Sequence, residues 1–361
     1  MNFETPNLNI ENKEEEWKEK VFKYFKGEMH AHSLYSNRKE MGGGKESMVH
    51  SDERLLSYAE KLGLDFLCFS EHSSDPEAPK KLEENHPICQ SLLKQQERIE
   101  EINESGKYDL TAYQSVEANI MFDDENKAII DVPDSVLSKL DLVVASKHKI
   151  AGSKDPEMIK QSLLAASQNE NVDIIGHPYR YIEFYENDWR YFKKYYKDKE
   201  ISKELQELED KSDWDSIKQI IGKKEATTDK LKEYNNLFSN LKENYWQSWD
   251  EVLSNMEKNN TCFEINLSSF DPSKEYFKTL LKKTTEYKNL NYSIAFDFHH
   301  LGQLDNYKNK AELAGVKNPA RAKGINRLLE LIDLFKELNI DSSSIINSSE
   351  ENMKQFINSR K

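Results

Sequence analysis

The sequence predicts an α/β fold in the form of a closed or nearly closed (β/α) barrel. Seven short apolar segments alternate with segments of helical periodicity, which is the pattern of a parallel sheet with right-handed crossovers. A side chain of the kind that binds metal ions follows almost every apolar segment. The length of 361 residues allows one large barrel or two domains, and we expect a single barrel domain over 1–361.

The first half of the chain contains five of the seven expected strands. A charged helix is expected over 14–26, and strand one follows at 28–32. Ser51 is expected to cap the next helix, which has leucines on one face and ends at Gly63. Strands two to five are expected at 65–70, 110–116, 141–146 and 172–176, with helices at 88–104, 134–140 and 156–168. Their apolar runs are typical of strands that are buried on both faces.

The alternation breaks over 181–245, which we interpret as a helical insertion or cap after strand five. The segment is rich in Tyr, Trp, Lys and Glu, and 201–221 and 229–243 have the pattern of polar helices. Three roles stay open at this stage. The aromatic side chains can form the core of the cap, stack on nucleic-acid bases beside the lysines, or bind a partner protein.

The remaining elements restore the alternation of helix and strand. They are a helix at 246–258, strand six at 261–267, a helix at 273–285, strand seven at 292–296, a helix at 319–338 and a last helix from Glu350.

Composition excludes several classes of protein. The hydrophobic fraction is 37%, the charged fraction is 32%, and the net charge of −14 argues against a general duplex-binding surface. The three cysteines show no metal-binding spacing and are expected to be buried free thiols in a reducing compartment. No segment has the length and apolarity of a membrane span or a signal peptide, so we expect a soluble, cytoplasmic protein.

A His-x-His motif at strand one is the first candidate for a functional site. His30 and His32 are two residues apart on a strand, so their side chains point the same way. Similar residues stand at later strand ends: His72, Glu117, His148, His177, Asp297 and His299. In a parallel barrel these ends meet at one face. Imidazole with carboxylate is the ligand set of Zn, Mn or Fe rather than Ca.

These motifs resemble those of the PHP (polymerase and histidinol phosphatase) metallophosphoesterase family. The matching segments are His30-Ala-His32-Ser-Leu-Tyr-Ser, Phe69-Ser-Glu-His72, Glu117, Ser146-Lys-His148, Ile175-Gly-His177-Pro and Asp297-Phe-His299. The segment Phe263-Glu-Ile-Asn266 also resembles the strand-six element of that family, and Ile345-Ile-Asn-Ser-Ser-Glu resembles its closing strand-helix tail.

The resemblance implies a distorted (β/α)7 TIM-like barrel with two or three divalent transition metal ions, Zn, Mn or Fe, at its C-terminal face. One ion would be held by His30, His32, Glu117 and Asp297. Glu117 would bridge to a second ion held by His148 and His177, while His72 and His299 would serve a third. Two departures from the family pattern stand out. Asn37 stands where members often have Asp or His, which puts the third ion in doubt, and Glu71 replaces the usual Asp of a T-D-H motif.

The implied activity is hydrolysis of a phosphate ester by a metal-activated water, with His177, Asp297 and Arg180 as catalytic residues. Arg180, Arg38 and Lys147 are the cations that can steady phosphoryl oxygens, although each also fits an ordinary surface cation. Three functions stay open: a phosphatase for a phosphorylated small molecule, a nuclease or phosphatase acting on a nucleic-acid end, and a catalytically silent scaffold that binds a partner protein, for which 181–245 offers a surface.

Overall fold

The computed structural model describes residues 19–37, 50–74, 79–148, 155–187, 229–298 and 324–360, without the side chains of 37, 183–184, 187, 229–238 and 324–325. The chain divides into two compact units. The first comprises Met1–Ala151, Ser162–Pro178 and Leu253–Lys361, and the second comprises Gly152–Gln161 and Tyr179–Val252. The single domain expected over 1–361 stays a prediction.

The first unit contains a parallel sheet of seven strands that nearly closes into a barrel, as the sequence predicts. The strands in chain order are β1 (Gly27–Ala31), β2 (Phe66–His72), β3 (Thr111–Phe122), β4 (Ala128–Ile130), β5 (Leu142–Ser146), β6 (Ile174–Gly176), β7 (Cys262–Asn266) and β8 (Tyr292–Ala295). The parallel order is β1-β2-β3-β5-β6-β7-β8, and β4 pairs antiparallel with the end of β3. The fold is therefore an α/β TIM-like barrel.

Helices connect most of the strands. They are α1 (Asp52–Leu62), α2 (Pro87–Glu104), α3 (Asp134–Leu137), α4 (Pro156–Gln168), α5 (Ile182–Asn187), α6 (Asp229–Lys258), α7 (Glu275–Thr284), α8 (Gly324–Glu337) and α9 (Glu350–Arg360). The caps of α1 are confirmed: the Ser51 side chain accepts a hydrogen bond from the Arg54 amide, and Gly63 ends the helix at φ 75°. None of the described helices is long and apolar enough to cross a bilayer.

Three expected elements differ from the structure. Strand β3 does not end at Glu117 but continues five residues further, to Phe122, because its end pairs with β4. The expected break between 229–243 and 246–258 is wrong, since α6 is continuous and buries Tyr245 and Trp249 one turn apart. The chain around Ile345 forms two 3-10 turns, Ser342–Ser344 and Ile346–Ser348, rather than a strand. The expected helix 201–221 lies outside the described residues.

The barrel core fills the end where the strands begin. Its buried residues come from the first positions of the strands and from the C-terminal segment, and they are Met29, Phe66, Cys68, Leu142, Val144, Ile174, Cys262, Ile346, Met353 and Phe356. Burial of each large apolar side chain contributes about 1.5–3 kcal/mol. Cys68, Cys89 and Cys262 are buried free thiols, as predicted.

Two polar side chains bridge the seam between β1 and β8. The Asn347 carboxamide accepts a hydrogen bond from the Ile294 amide at 3.0 Å and donates to the Gly27 and Ile294 carbonyls at 2.7 Å each. Further along the seam, the buried Glu28 carboxylate accepts from the amides of His30 at 2.8 Å and Phe296 at 3.0 Å. Side chains therefore replace a continuous backbone ladder at this end of the seam.

The other end of the seam closes through the backbone itself. The Phe298 amide donates to the His30 carbonyl at 3.0 Å, and the His32 amide donates to the Phe298 carbonyl at 2.9 Å. This pairing brings the first strand beside the chain that follows the last strand. Asp297 therefore lies next to the His-x-His motif, although more than 260 residues separate them in sequence.

The described part of the second unit is helical. Tyr185 stacks on Tyr245 with ring centroids 4.3 Å apart. Glu186 accepts hydrogen bonds from Lys242 and from the indole of Trp246, each at 2.8 Å. These aromatic side chains form a core, as one of the three expected roles requires. The aromatic residues at 189–196 lie outside the described residues.

Candidate metal centre

Seven of the eight residues predicted as metal ligands converge at the carboxyl ends of the barrel strands. They are His30, His32, His72, Glu117, His148, His177 and Asp297. The eighth, His299, lies outside the described residues. All seven belong to the first unit, and all except Asp297 are buried.

The Glu117 carboxylate is the centre of this cluster. Five imidazoles surround it, and the ring nitrogen to oxygen distances are 3.3, 3.7, 2.9, 3.0 and 3.1 Å for His30, His32, His72, His148 and His177. Oε1 faces three of the rings and Oε2 faces the other two. Both carboxylate oxygens of Glu117 therefore face nitrogens of the kind that binds metal ions.

The position of Glu117 inside β3 explains how it is held. Its neighbours in the sheet are His72 on β2 and Val144 on β5, so the backbone is paired on both sides. A residue at a strand end, as the sequence led us to expect, would have less support. The longer strand therefore gives the shared carboxylate a rigid support.

Three overlapping groups of side chains have ligand atoms within 4.8 Å of one another. They are His30 with His32 and Asp297, His32 with His72 and Glu117, and Glu117 with His148 and His177. The first and last groups correspond to two of the ion sites that the resemblance implies. The third implied site includes His299 and the side chain of Asn37, which lie outside the described part of the chain.

Two of the candidate ligands have a strained backbone. Asp297 has φ 55° and His177 has φ 28°, values that residues with a Cβ rarely adopt. Such strain is kept where the surrounding structure fixes the backbone, and it is concentrated at functional sites. Gly176 also fits closely, because a Cβ there would collide with the Ser146 hydroxyl. The turn after β6 is therefore shaped to present His177.

Glu264 is a residue of this site that the ligand prediction did not include. It lies on β7, is fully buried, and accepts a hydrogen bond from Nδ1 of His30 at 2.6 Å and from the His177 amide at 2.7 Å. Strand six was the strand for which no ligand was predicted. An acidic residue in the apolar run of that strand was the available signal, and the structure shows that it supports two candidate ligands from behind.

Glu71 has a similar supporting position on β2. It accepts hydrogen bonds from the hydroxyls of Ser33 and Ser36 and from Gln95 Nε2 at 3.1 Å. Burial raises the pKa of Glu71, and these donors oppose the rise. The carboxylate therefore anchors the chain that follows the His-x-His motif, and it belongs to none of the three groups named above.

The charges in the cluster shift the pKa values of its members. Burial alone would raise the pKa of Glu117, but the imidazoles of His148 and His30 hold it well below its ordinary value. Burial lowers the pKa of His30, but the carboxylates of Glu264 and Glu117 overcome this and raise it well above 6.5. The pKa of His72 is raised because Glu117 outweighs burial in the same way. Nearby carboxylates therefore favour the protonated form of both imidazoles in the metal-free protein.

The donor atoms fit divalent transition metal ions. Imidazole nitrogen and carboxylate oxygen are the ligands that Zn, Mn and Fe accept. Nε2 of His30 is buried and faces Glu117, yet it makes no hydrogen bond to any described residue. The opposite ring nitrogen is occupied by Glu264, which is the arrangement of a ligating histidine with an orienting carboxylate.

The predicted cations occupy different positions. Arg180 lies in the turn before α5, in the second unit, and its side chain is exposed. Its catalytic role stays a prediction. Lys147 directly follows β5, immediately precedes His148 in the sequence, and is buried. Arg38 lies outside the described residues.

Known proteins with similar sequences include phosphatases and a polymerase. A probable phosphatase of Caldanaerobacter subterraneus subsp. tengcongensis is 49% identical over 65 residues, which cover 18% of this chain and 24% of that protein. A probable phosphatase of Thermoanaerobacter sp. is 34% identical over 123 residues, covering 33% of this chain and 44% of that protein. The DNA polymerase/3'-5' exonuclease PolX of Bacillus subtilis is 29% identical over 154 residues, which cover 42% of this chain and 23% of that protein.

These similarities are partial. The chain spans less than half the length of each of these curated relatives. No protein-family model matches the chain. The matched proteins are thus named as probable phosphatases and as PolX, and the chain that matches them has a cluster of imidazoles and carboxylates that could bind metal ions.

Proposed function

We propose that this chain is a metal-dependent phosphoesterase of the PHP type. The observation that carries the proposal is the Glu117 carboxylate with five imidazoles around it at the carboxyl ends of the barrel strands. The probable phosphatases among its relatives support the reaction class.

Two ion sites share Glu117 in this proposal. His30, His32, Glu117 and Asp297 hold the first ion, and Glu117, His148 and His177 hold the second. A third site with His72 and His299 completes the proposed di- or trinuclear centre. When bound, divalent ions at such a centre lower the pKa of water and stabilise negative charge on phosphoryl oxygens.

The residues of the chain shape the site before any substrate arrives. Asp297 is the most exposed of the seven clustered side chains at 13%, so it lies nearest the solvent from which a phosphate ester enters. The six others are buried, and the Glu264 carboxylate holds the ring of His30 and the backbone of His177. Because the polar groups of such a site are already in place and largely shielded from water, they stabilise the charge that develops in the reaction without first having to reorganise.

A second candidate function is cleavage at a nucleic-acid end. It is favoured by the similarity to PolX, whose name includes a 3'-5' exonuclease activity. The net charge of −14 favours a phosphorylated small molecule instead. A catalytically silent scaffold is disfavoured because it would have no use for seven converging ligand-type side chains.

Metal analysis with parallel activity assays tests the proposal. Purified protein should bind about two to three Zn, Mn or Fe ions per chain and hydrolyse p-nitrophenyl phosphate or single-stranded DNA. Glu117→Gln and Asp297→Asn should lose most of the activity and part of the metal, whereas Asp124→Asn, an exposed carboxylate in the β3–β4 turn, should match the parent. Protein that cannot be loaded with any of the three metals would refute the proposal, and preference between the two substrates separates the two functions.

A further inference from the structure

The extension of β3 beyond Glu117 carries a buried polar cluster that the proposed reaction does not use directly. Asn119 and Asp131 are both buried, and they pair through the backbone as well as through their side chains. Asp131 is fully enclosed and accepts hydrogen bonds from the hydroxyls of Ser73 at 2.7 Å and Ser74 at 2.7 Å. The cluster contacts one candidate metal ligand, because the Oδ1 atom of Asn119 lies 2.8 Å from Nδ1 of His148.

We propose that Asp131 and Asn119 are positioning residues that fix the tautomer of His148. The inference extends the proposed metal-dependent function. It rests on that function only where it predicts an effect on metal binding. The position of the proton on His148 follows from the chain itself.

The orientation of the Asn119 amide is determined by Asp131. Its Nδ2 atom lies 2.9 Å from the Asp131 carboxylate and 3.0 Å from the Ser74 hydroxyl. An ionised carboxylate has no proton to donate, so the side of the amide that faces it must be the NH₂ group. Burial raises the pKa of Asp131 to about 6, and the carboxylate is therefore ionised at pH 8. The amide oxygen must then face His148.

The tautomer of His148 follows from the orientation of the amide. A carbonyl oxygen only accepts, so Nδ1 of His148 must carry the proton. Nε2 lies 3.0 Å from Oε1 of Glu117, within the group that includes His177. In the metal-free protein that carboxylate also accepts a proton from the ring, so Nε2 offers its lone pair to an ion only when this second proton leaves. A metal ligand needs an unprotonated nitrogen at this position. The pair therefore prepares His148 to bind an ion, as Glu264 does for His30.

The antiparallel β4 strand has a role in this arrangement. Residues 128–130 pair with the end of β3, and the next residue along the chain is Asp131. The Asp131 amide donates to the Asn119 carbonyl at 3.0 Å, and the Asn119 amide donates to the Asp131 carboxylate at 2.9 Å. The hairpin thus holds the carboxylate at a fixed distance from the amide. The extra length of β3 therefore helps to fix the orientation of the Asn119 amide beside His148.

Nitrogen NMR of the metal-free protein tests the tautomer directly. Long-range proton–nitrogen spectra of histidine side chains distinguish Nδ1–H from Nε2–H. The spectra are recorded at pH 8, and we expect Nδ1 of His148 to carry a proton whether or not Nε2 carries one as well. In Asp131→Asn, which keeps the side-chain volume, the Asn119 amide can turn over, and the ratio of Nδ1–H to Nε2–H should fall about five- to tenfold.

A matched variant separates positioning from packing. Ser74→Ala removes another hydrogen bond of the same cluster but leaves the contact between Asp131 and Asn119, so the tautomer ratio should equal that of the parent. Asn119→Ala serves as a second test if Asp131→Asn fails to fold. In chelator competition, Zn should bind about 10- to 100-fold more weakly to Asp131→Asn and Asn119→Ala, with Ser74→Ala unchanged.

The outcomes distinguish this inference from the proposed function. A parent protein in which Nδ1 of His148 carries no proton, or an unchanged tautomer ratio in Asp131→Asn and Asn119→Ala, would overturn the inference. The expected tautomer in a protein that binds no Zn would uphold the role of the pair and refute the metal-dependent function instead.

Discussion

The Nδ1 atom of His30 lies 2.6 Å from a carboxylate oxygen of Glu264, and both side chains are fully buried. The other oxygen of Glu264 accepts a hydrogen bond from the His177 amide at 2.7 Å. One carboxylate thus orients the ring of one candidate ligand and fixes the backbone of another. This double contact makes Glu264 the supporting residue on which the two proposed ion sites depend together.

Replacing Glu264 should weaken metal binding without removing a ligand. Glu264→Gln keeps the size of the side chain but cannot accept from both His30 and the His177 amide as a carboxylate does, so the affinity for Zn should fall about 10- to 100-fold. Chelator competition measures the change. Glu275→Gln, an exposed glutamate at the start of α7, is the matched control. An unchanged Zn affinity in Glu264→Gln would show that His30 needs no orienting carboxylate.

Metal binding should release protons near neutral pH. The pKa values of His30 and His72 are raised in the metal-free protein by nearby carboxylates, despite burial. Both rings therefore keep protons above pH 6.5, and ligation must displace them. The apparent affinity should rise with pH and level off once the pH exceeds the raised pKa values. Calorimetry in buffers of different ionisation enthalpy should report about one or two protons released per chain at pH 7.

A histidine outside the cluster provides the control for this measurement. His86 caps α2, and its side chain accepts from the Ile88 amide. His86→Asn keeps a capping side chain and should leave the number of released protons unchanged. Proton release that is the same at pH 7 and pH 9 would contradict the assignment to imidazoles with raised pKa values.

The sequence was sufficient to predict the barrel because each strand carries its own signal. The strands expected at 65–70 and 141–146 are Phe66–His72 and Leu142–Ser146 in the structure, with every residue buried, so their bounds differ from the expected ones by at most two residues. The ligand-type residues could be predicted for the same reason. Parallel strands place their carboxyl ends at one face, so residues such as His148 and His177 meet there without any knowledge of the contacts between them.

Features that depend on contacts distant in sequence were not predictable. The end of β3 is a strand only because β4 pairs with it, and the residues of that extension carry no distinct pattern. The roles of Asn119 and Glu264 depend on partners 29 and 234 residues away in the chain. The closure of the barrel by Asn347 involves Gly27, a separation of 320 residues. Composition and periodicity describe residues that are close in sequence, so they cannot identify pairs that are this far apart in the chain.

The stability of the barrel should depend strongly on Asn347. Its buried carboxamide makes three hydrogen bonds across the seam, two to Ile294 and one to Gly27. Asn347→Ala would leave the Ile294 amide and the two carbonyls without these partners, and each buried unsatisfied group costs about 1–3 kcal/mol. Urea unfolding should therefore show a loss of about 3 kcal/mol or more in the free energy of unfolding.

A substitution of nearly identical shape gives the sharper test of the seam. Asn347→Asp keeps the acceptor for the Ile294 amide but places a carboxylate oxygen against the carbonyls of Gly27 and Ile294, where the parent has a donor. It should lose at least as much stability as Asn347→Ala, because the repulsion adds to the missing hydrogen bonds. Asn289→Ala, at an exposed position before β8, should unfold at the urea concentration of the parent. A loss below about 0.5 kcal/mol in both Asn347 variants, within the range of ordinary surface substitutions, would mean that the backbone pairing of Phe298 alone closes the barrel.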